Sequence, residues 1–338
     1  MKIVVLAGGL SKERDVSLSS GCKVANALLD NGHEVCLVDL FLGIETLENV
    51  FIDKNNKKRF TYEVPDKEPD LEELKRKYKR EKPIGKNVLE VCKMADLVFI
   101  ALHGACGEDG KLQALFELEG IKFTGTSSVG CALAMDKDLS KKLMVADNIK
   151  TARWVSLKRN EDTNLEKISF PCVVKPCSNG SSMGVSIVET KEDVKDAIET
   201  AFKYEDKILV EEYISGREFS VGVLDNNALP AIEIITNKGF YDYKNKYQAG
   251  LVEEICPANI EEDLEKEMSK LALKVHKALH LGYYSRIDFR VDNKGNIYCL
   301  EANTLPGMTP TSLLPQEAQT VGISYENLCE MICLSVVK

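Results

Sequence analysis

The segment from Arg286 to Asn303 constrains the fold more than any other stretch of this chain. Arg286-Ile-Asp-Phe-Arg-Val-Asp292 and Asn296-Ile-Tyr-Cys-Leu-Glu-Ala-Asn303 alternate in character and meet around Lys294-Gly295. Period two is a strand signature, and two such runs around a glycine-containing turn make an antiparallel hairpin. With a four-residue loop over 293–296, Asp288 faces Glu301 and Arg286 faces Asn303, while Ile287, Phe289 and Val291 turn to the other side. Opposed carboxylates repel, so this register is costly unless a cation lies between them. Two carboxylates and an amide oxygen are hard donors that suit Mg²⁺ or Mn²⁺. Alone, the hairpin fits the wet charged face of an ordinary sheet equally well. The turn-rich, hydroxyl-bearing run from Thr304 to Ser312 favours a site, because binding groups are mounted on such segments beside rigid strands.

The first third of the chain reads differently. Apolar strand-like runs at 2–6, 34–38 and 97–102 alternate with helical patterns at 17–29 and 111–118. Continuous apolar strands between helices imply a doubly wound parallel sheet. The first turn, Gly8-Gly9-Leu10-Ser11, lacks the Gly-x-Gly-x-x-Gly of a dinucleotide site. Between 41 and 86 the pattern gives way to charged stretches at 54–59 and 75–82, which read as solvated faces. A helix is expected over 129–146, a strand-loop-strand unit over 172–188, a helix over 191–202 and a strand over 207–213. Strands at 219–224 and 228–235 flank Asn226-Asn227, and a helix over 261–279 is expected to end near Gly282. A length of 338 residues suits three units, expected at 1–125, 126–211 and 212–338. The class is α/β, with an α+β C-terminal part.

Charge and cysteine content exclude several functions. A net charge of −9 argues against a nucleic-acid surface or a membrane-binding face. The N-terminus carries one lysine and a short apolar run, which reads as a first strand, so a cytoplasmic location is expected. The 11 cysteines are scattered with no Cys-x-x-Cys and are expected to be reduced, core-filling thiols. His276 and His280 lie one helical turn apart without a third metal ligand and are expected on a helix surface.

Lys175-Pro-Cys-Ser-Asn-Gly180-Ser-Ser-Met-Gly184 lies between two strand-like runs. It is not a Walker A loop, which would need Gly-Lys-[Ser/Thr] leading into a helix. Its glycines would let a hairpin flap bring backbone N–H groups over a phosphate, within reach of Lys175. A plain flexible hairpin has a similar composition.

In combination these motifs resemble the ATP-grasp superfamily and, within it, the D-alanine–D-alanine ligases. The resemblance runs over essentially the whole chain and is weakest over 41–86. It rests on Gly8–Ser17 (Gly-Gly-Leu-Ser-Lys-Glu-Arg-Asp-Val-Ser), His103-Gly-Ala-Cys-Gly-Glu-Asp-Gly110, Ala134-Met-Asp-Lys137 and Lys175-Pro with Gly180-Ser-Ser-Met-Gly184. Phe240-Tyr-Asp-Tyr-Lys-Asn-Lys-Tyr247, Arg286-Ile-Asp288 and the run from Glu301 to Leu313 complete it.

The resemblance implies an ATP-dependent ligation of two D-alanines through an acyl phosphate, for peptidoglycan precursors. It puts Lys137, Lys175, Ser182 and Lys246 on the phosphates, Glu211, Tyr213 and Ile214 along the adenine, and Glu218 on the ribose. Asp288, Glu301 and Asn303 match the family's ligands for Mg²⁺ or Mn²⁺, expected as two ions. Glu13 would meet the first D-alanine's ammonium, with Val16 and His103 beside that substrate. Arg286 and the Gly307 N–H would hold the oxyanion, and Ser312 with the Leu313 N–H the second carboxylate. Glu13, Ser181 and Tyr247 would form a hydrogen-bonded chain closing a loop over the site. Related ligases that make D-alanyl-D-lactate carry another residue type, commonly His, in place of this tyrosine. Tyr247 therefore favours an amine as second substrate, with D-serine as the alternative to D-alanine. The resemblance also implies a homodimer. A non-catalytic nucleotide sensor would sooner lack Arg286 or Glu301, and both are present.

Overall fold

The computed structural model describes residues 1–56, 59–65, 67–161, 164–236 and 252–337. β1 (Lys2–Ala7) is buried from Ile3 onward and lies between β2 (Glu34–Asp39) and β3 (Leu97–Ile100) in a parallel sheet. Such a strand has no solvent face, which is why its residues are uniformly apolar. α1 (Arg14–Asp30), α3 (Val88–Met94) and α4 (Lys111–Glu119) pack around this sheet. α2 (Leu71–Tyr78) has no buried residue, in keeping with the charged composition there.

The helix expected over 129–146 is two helices, α5 (Ser128–Met135) and α6 (Lys137–Ala146). The break is Asp136, whose extended backbone (φ −81°, ψ 100°) lets its carboxylate accept from the N–H groups of Asp138 and Leu139. An Asp in that geometry starts a new helix. Periodicity hides the break, because Leu143 and Met144 keep the apolar spacing while the start of α6 buries Lys137, Asp138, Ser140 and Lys141 instead.

β4 (Trp154–Lys158), β5 (Cys172–Pro176), β6 (Ser186–Val188) and β7 (Lys207–Glu212) form an antiparallel sheet in the order β4-β7-β5-β6. α7 (Val194–Ala201) covers it through Val194, Ala197, Ile198 and Ala201. The largest sheet contains β8 (Gly216–Leu224), β9 (Asn227–Ala228), β10 (Ile232–Thr236), β11 (Val252–Ile255), β12 (Tyr284–Asp292) and β13 (Ile297–Asn303). Its order is β11-β10-β8-β12-β13, with β9 paired to β8. The tight turn falls at Asp225-Asn226, both left-handed, one residue before the expected pair.

α8 (Glu262–Ala278) packs on that sheet through Met268, Ala272 and Val275. Its end is set by left-handed His280 and not by Gly282. Gly282 serves close packing instead, since a Cβ there would sit 2.0 Å from the Gly125 carbonyl oxygen. His276 corrects the expectation of a surface position: it is buried, and its Nδ1 bonds the Ser285 hydroxyl at 2.7 Å. α9 (Leu313–Thr320) packs on β8, and α10 (Tyr325–Val337) returns to the first domain against α1 and β3. The 11 cysteines are free thiols, buried except for Cys106 and Cys256. Among the described residues no single helix is long and apolar enough to cross a membrane.

Candidate active site

The β12–β13 hairpin pairs Asp288 with Glu301 and Arg286 with Asn303. It arrives there by a route the alternation does not show. At the turn Val291 pairs with Ile297 and the Gly295 N–H donates to the Asp292 carbonyl, so the loop is one residue shorter than expected. A bulge at Leu300 takes up the difference before Glu301. Bulges re-aim side chains, and this one turns both Leu300 and Glu301 toward the same cavity. Ile287 and Phe289 go fully into the core behind.

The opposed carboxylates are each held by cations. The Arg286 guanidinium grips Asp288 with two bonds of 2.9 Å, while Ser220 Oγ and Asn303 Nδ2 each donate to it at 2.9 Å. Lys137 Nζ lies 3.3 Å from Glu301 and donates to the Asn179 carbonyl at 2.9 Å. Burial lowers the affinity of the Lys137 amine for its proton, but the Glu301 carboxylate outweighs it and leaves the pKa raised. Two facing carboxylates with an amide beside them are a donor set that fits a hard divalent cation. No group of three His, Cys, Asp or Glu residues that could hold a metal occurs among the described residues; the Asn303 amide stands beside Asp288.

A cleft opens on one side of the hairpin, lined by a few apolar walls and several convergent charged groups, as small-molecule sites are. Lys137, Lys175, Ser182, Glu211, Tyr213, Ile214 and Glu218 all line it, together with Asp288 and Glu301. Lys246 lies outside the described residues. Glu211 is buried between Lys141 (2.8 Å) and Lys175 (2.5 Å). Burial would raise its pKa, and the two ammonium groups reverse the effect and lower it. Lys141 is pushed down, by burial first and then by Lys175. Glu218 accepts from Arg290 at 2.7 Å. The apolar walls Val173, Val185, Ile234 and Leu300 were not singled out from sequence, because nothing in a strand's alternation says which apolar residue meets a ligand.

A second cavity lies on the other side. Glu13, Val16, Ser181, His103, Arg286, Gly307, Ser312 and Leu313 line it, with Glu301 and Asn303. Tyr247 lies outside the described residues. Glu13 sits at the N-cap of α1 yet caps nothing; its carboxylate accepts from the Ser181 hydroxyl. Gly180 passes so close that a Cβ would stand 3.2 Å from the same carboxylate. Ser181 and Ser182 both take left-handed backbone (φ +51° and +55°), which costs a non-glycine residue about 1–2 kcal/mol. Such strain persists where surrounding contacts impose it. Gly180, Ser181 and Glu301 line both cavities, so one thin wall separates them.

His103 is buried; its Nδ1 donates to the Leu305 carbonyl (3.1 Å), and its Nε2 meets Ser20 Oγ (3.1 Å). Burial lowers its pKa, so the neutral ring prevails. Glu108, which also lines the second cavity, was overlooked in the sequence although it falls within the His103–Gly110 motif. Its carboxyl is pushed up to about 8 by desolvation and then by the charge of Glu13.

Residues 2–126 match the family described as D-ala D-ala ligase N-terminus, and residues 143–333 the one described as D-ala D-ala ligase C-terminus. The chain belongs to the D-alanine–D-alanine ligase family. A D-alanine–D-alanine ligase of Pediococcus pentosaceus is 46% identical, the match covering 100% of this chain and 98% of the relative. That of Lacticaseibacillus casei is 42% identical over 97% of this chain and 93% of its own length. Among solved structures, the D-alanine–D-alanine ligase from Bacillus anthracis complexed with ATP superposes with a TM-score of 0.78 at 30% identity, covering 100% of this chain and 97% of that one. The VanG D-Ala:D-Ser ligase from Enterococcus faecalis gives 0.78 at 30% identity, with 99% of each chain covered. The architecture is thus the ATP-grasp fold of this ligase family, with a parallel-sheet domain in front of two antiparallel sheets.

Proposed function

We propose that this enzyme joins two D-alanines into D-alanyl-D-alanine at the expense of ATP, supplying a cell-wall precursor. The observation that carries the reading is the wall shared by the two cavities, where Gly180, Ser181 and Glu301 face both. A nucleotide on one side and an amino acid on the other would meet there, as carboxylate activation requires.

A carboxylate oxygen of the first D-alanine attacks the γ-phosphorus, the bond to ADP breaks, and an acyl phosphate forms. The free amine of the second D-alanine then attacks the acyl carbon, and phosphate leaves as the amine proton is lost. Lys137, Lys175, Ser182 and Lys246 neutralise and hold the phosphates, while Glu211, Tyr213 and Ile214 take the adenine and Glu218 the ribose. Asp288, Glu301 and Asn303 would hold Mg²⁺ or Mn²⁺, two ions in this reading, which supply positive charge against the phosphoryl oxygens. Glu13 takes the first ammonium, with Val16 and His103 beside it. Arg286 and the Gly307 N–H stabilise the tetrahedral oxyanion, and Ser312 with the Leu313 N–H takes the second carboxylate. Glu13, Ser181 and Tyr247 link flap and loop, excluding water from the acyl phosphate.

Residues 1–125 serve the first amino acid in this reading, 126–211 the flap, and 212–338 the metal and second substrate. In this reading the enzyme works in the cytoplasm as a homodimer without nucleic-acid or membrane partners; the net charge of −9 supports only the last of these. An ADP-release assay over a panel of D- and L-amino acids with Mg²⁺ tests the reading. D-alanine should give the fastest release, and a response to L-amino acids alone would sink it.

A further inference from the structure

The loop after β13 is held at two points. At its start, Leu305 is tied to the first domain: its carbonyl accepts from His103 Nδ1 at 3.1 Å, and Glu108 stands with it in the wall of the amino-acid cavity. Glu108 in turn accepts from the Gly104 N–H at 2.7 Å, which closes its own turn onto the His103 segment. At its end, the Tyr325 hydroxyl donates to the Met308 carbonyl at 2.7 Å. Pro306 and Gly307 lie between these anchors and line the amino-acid cavity. A carbonyl oxygen can only accept, so His103 Nδ1 carries the proton and Nε2 is left to accept from Ser20. Both ring nitrogens are thereby committed to the protein.

We infer that His103 and Glu108 are positioning residues: His103 holds the Leu305 carbonyl, Glu108 holds the turn that carries His103, and together they fix the Gly307 N–H at the oxyanion position. The inference rests on the reading of Gly307 given above and revises that of His103, whose ring is engaged with the fold and not with substrate. Oxyanion donors act only if held where the charge develops, to within a few tenths of an ångström. A loop carried by the C-terminal sheet and braced by the N-terminal domain also ties that geometry to the closeness of the two domains. Glu108 suits the task, because its carboxyl keeps an oxygen for the Gly104 N–H whether or not it is ionised.

Two measurements test the clamp in His103→Ala and Glu108→Ala. Hydrogen exchange over residues 304–309 should quicken by about tenfold, the loss expected for one backbone-anchoring bond. With saturating D-alanine, ATP and Mg²⁺, ADP release should persist while dipeptide formed per ADP falls below about one-fifth, since losing one oxyanion donor slows acyl transfer roughly 10²–10³-fold. The apparent KM for D-alanine should stay within about threefold, as lost positioning acts on the transition state. His103→Asn, which keeps a donor at the Nδ1 position, and Glu108→Gln, which keeps an acceptor, should restore the dipeptide yield; these size-conserving variants carry the test if the alanine variants misfold. Unchanged exchange over 304–309 would overturn the clamp whatever the activity. One dipeptide per ADP with a tenfold higher KM would instead make the two residues substrate ligands. A wild-type enzyme that forms no dipeptide would defeat the proposed reaction and leave the exchange result to judge the clamp.

Discussion

The two hairpins that build the site differ in how firmly the fold holds them. β12 pairs with β8 along its whole length from Tyr284 to Asp292 and with β13 on its other side, while Ile287 and Phe289 are buried behind it. In the flap hairpin β5 is likewise paired along its length with β7, but β6 is an edge strand joined to it by the three pairs from Cys172–Val188 to Val174–Ser186. Its tip reaches Glu13 in the first domain through left-handed Ser181. Arg286, Asp288, Glu301 and Asn303 stand on the central hairpin, whereas Ser181 and Ser182, at the flap tip, hang beyond the ends of β5 and β6.

The largest effect should come from the central hairpin. Glu301→Ala removes the carboxylate common to both cavities and is expected to cut turnover by at least about 10³-fold, because charge neutralisation dominates phosphoryl transfer. Its melting temperature should stay within a few degrees, since Glu301 is only partly buried. Near-normal activity at saturating D-alanine and Mg²⁺ would break the comparison.

Ser181→Ala should be milder. It cuts the link from flap to Glu13 and should lower kcat/KM by about 10–100-fold, with more ATP hydrolysed per dipeptide as water enters. A loss as deep as that of Glu301→Ala would mean that the flap, too, carries fixed chemistry.

The smallest effect concerns the support behind the central hairpin. Glu317 of α9 is fully buried against Gly222 of β8, and desolvation raises its pKa well above the carboxylate range. A group whose folded pKa is raised binds its proton more tightly when folded, so stability declines as pH rises above the unfolded value and through the folded one. Glu317→Gln removes that dependence: thermal melts should show the variant gaining on the wild type between pH 5 and pH 8. A difference independent of pH would show that Glu317 does not titrate with folding.

The two hairpins were unequally legible in the sequence. The alternation of Arg286, Asp288 and Arg290 with Ile287, Phe289 and Val291 is a local property, so the face could be read directly, whereas the facing pair follows from a loop one residue shorter than expected and a compensating bulge. That bulge, at Leu300, could not be read, because an apolar residue between Cys299 and Glu301 fits a regular strand equally well. Contacts made by folding were also hidden. Ser181 meets Glu13 across 168 positions, and Leu305 meets His103 across 202. No spacing rule links such residues; only the resemblance to a known family joined the first pair, and nothing in the sequence joined the second. Asp136 shows the opposite error, where a periodic pattern ran through a residue that caps a new helix.

In the proposed reaction a phosphoryl group passes from one cavity to the other across the wall formed by Gly180, Ser181 and Glu301. D-alanine labelled with ¹⁸O in its carboxylate tests this directly when the released phosphate is analysed by mass. Attack by that carboxylate on the γ-phosphorus predicts one labelled oxygen in the phosphate for each dipeptide formed. Phosphate free of label, with dipeptide still made, would contradict it.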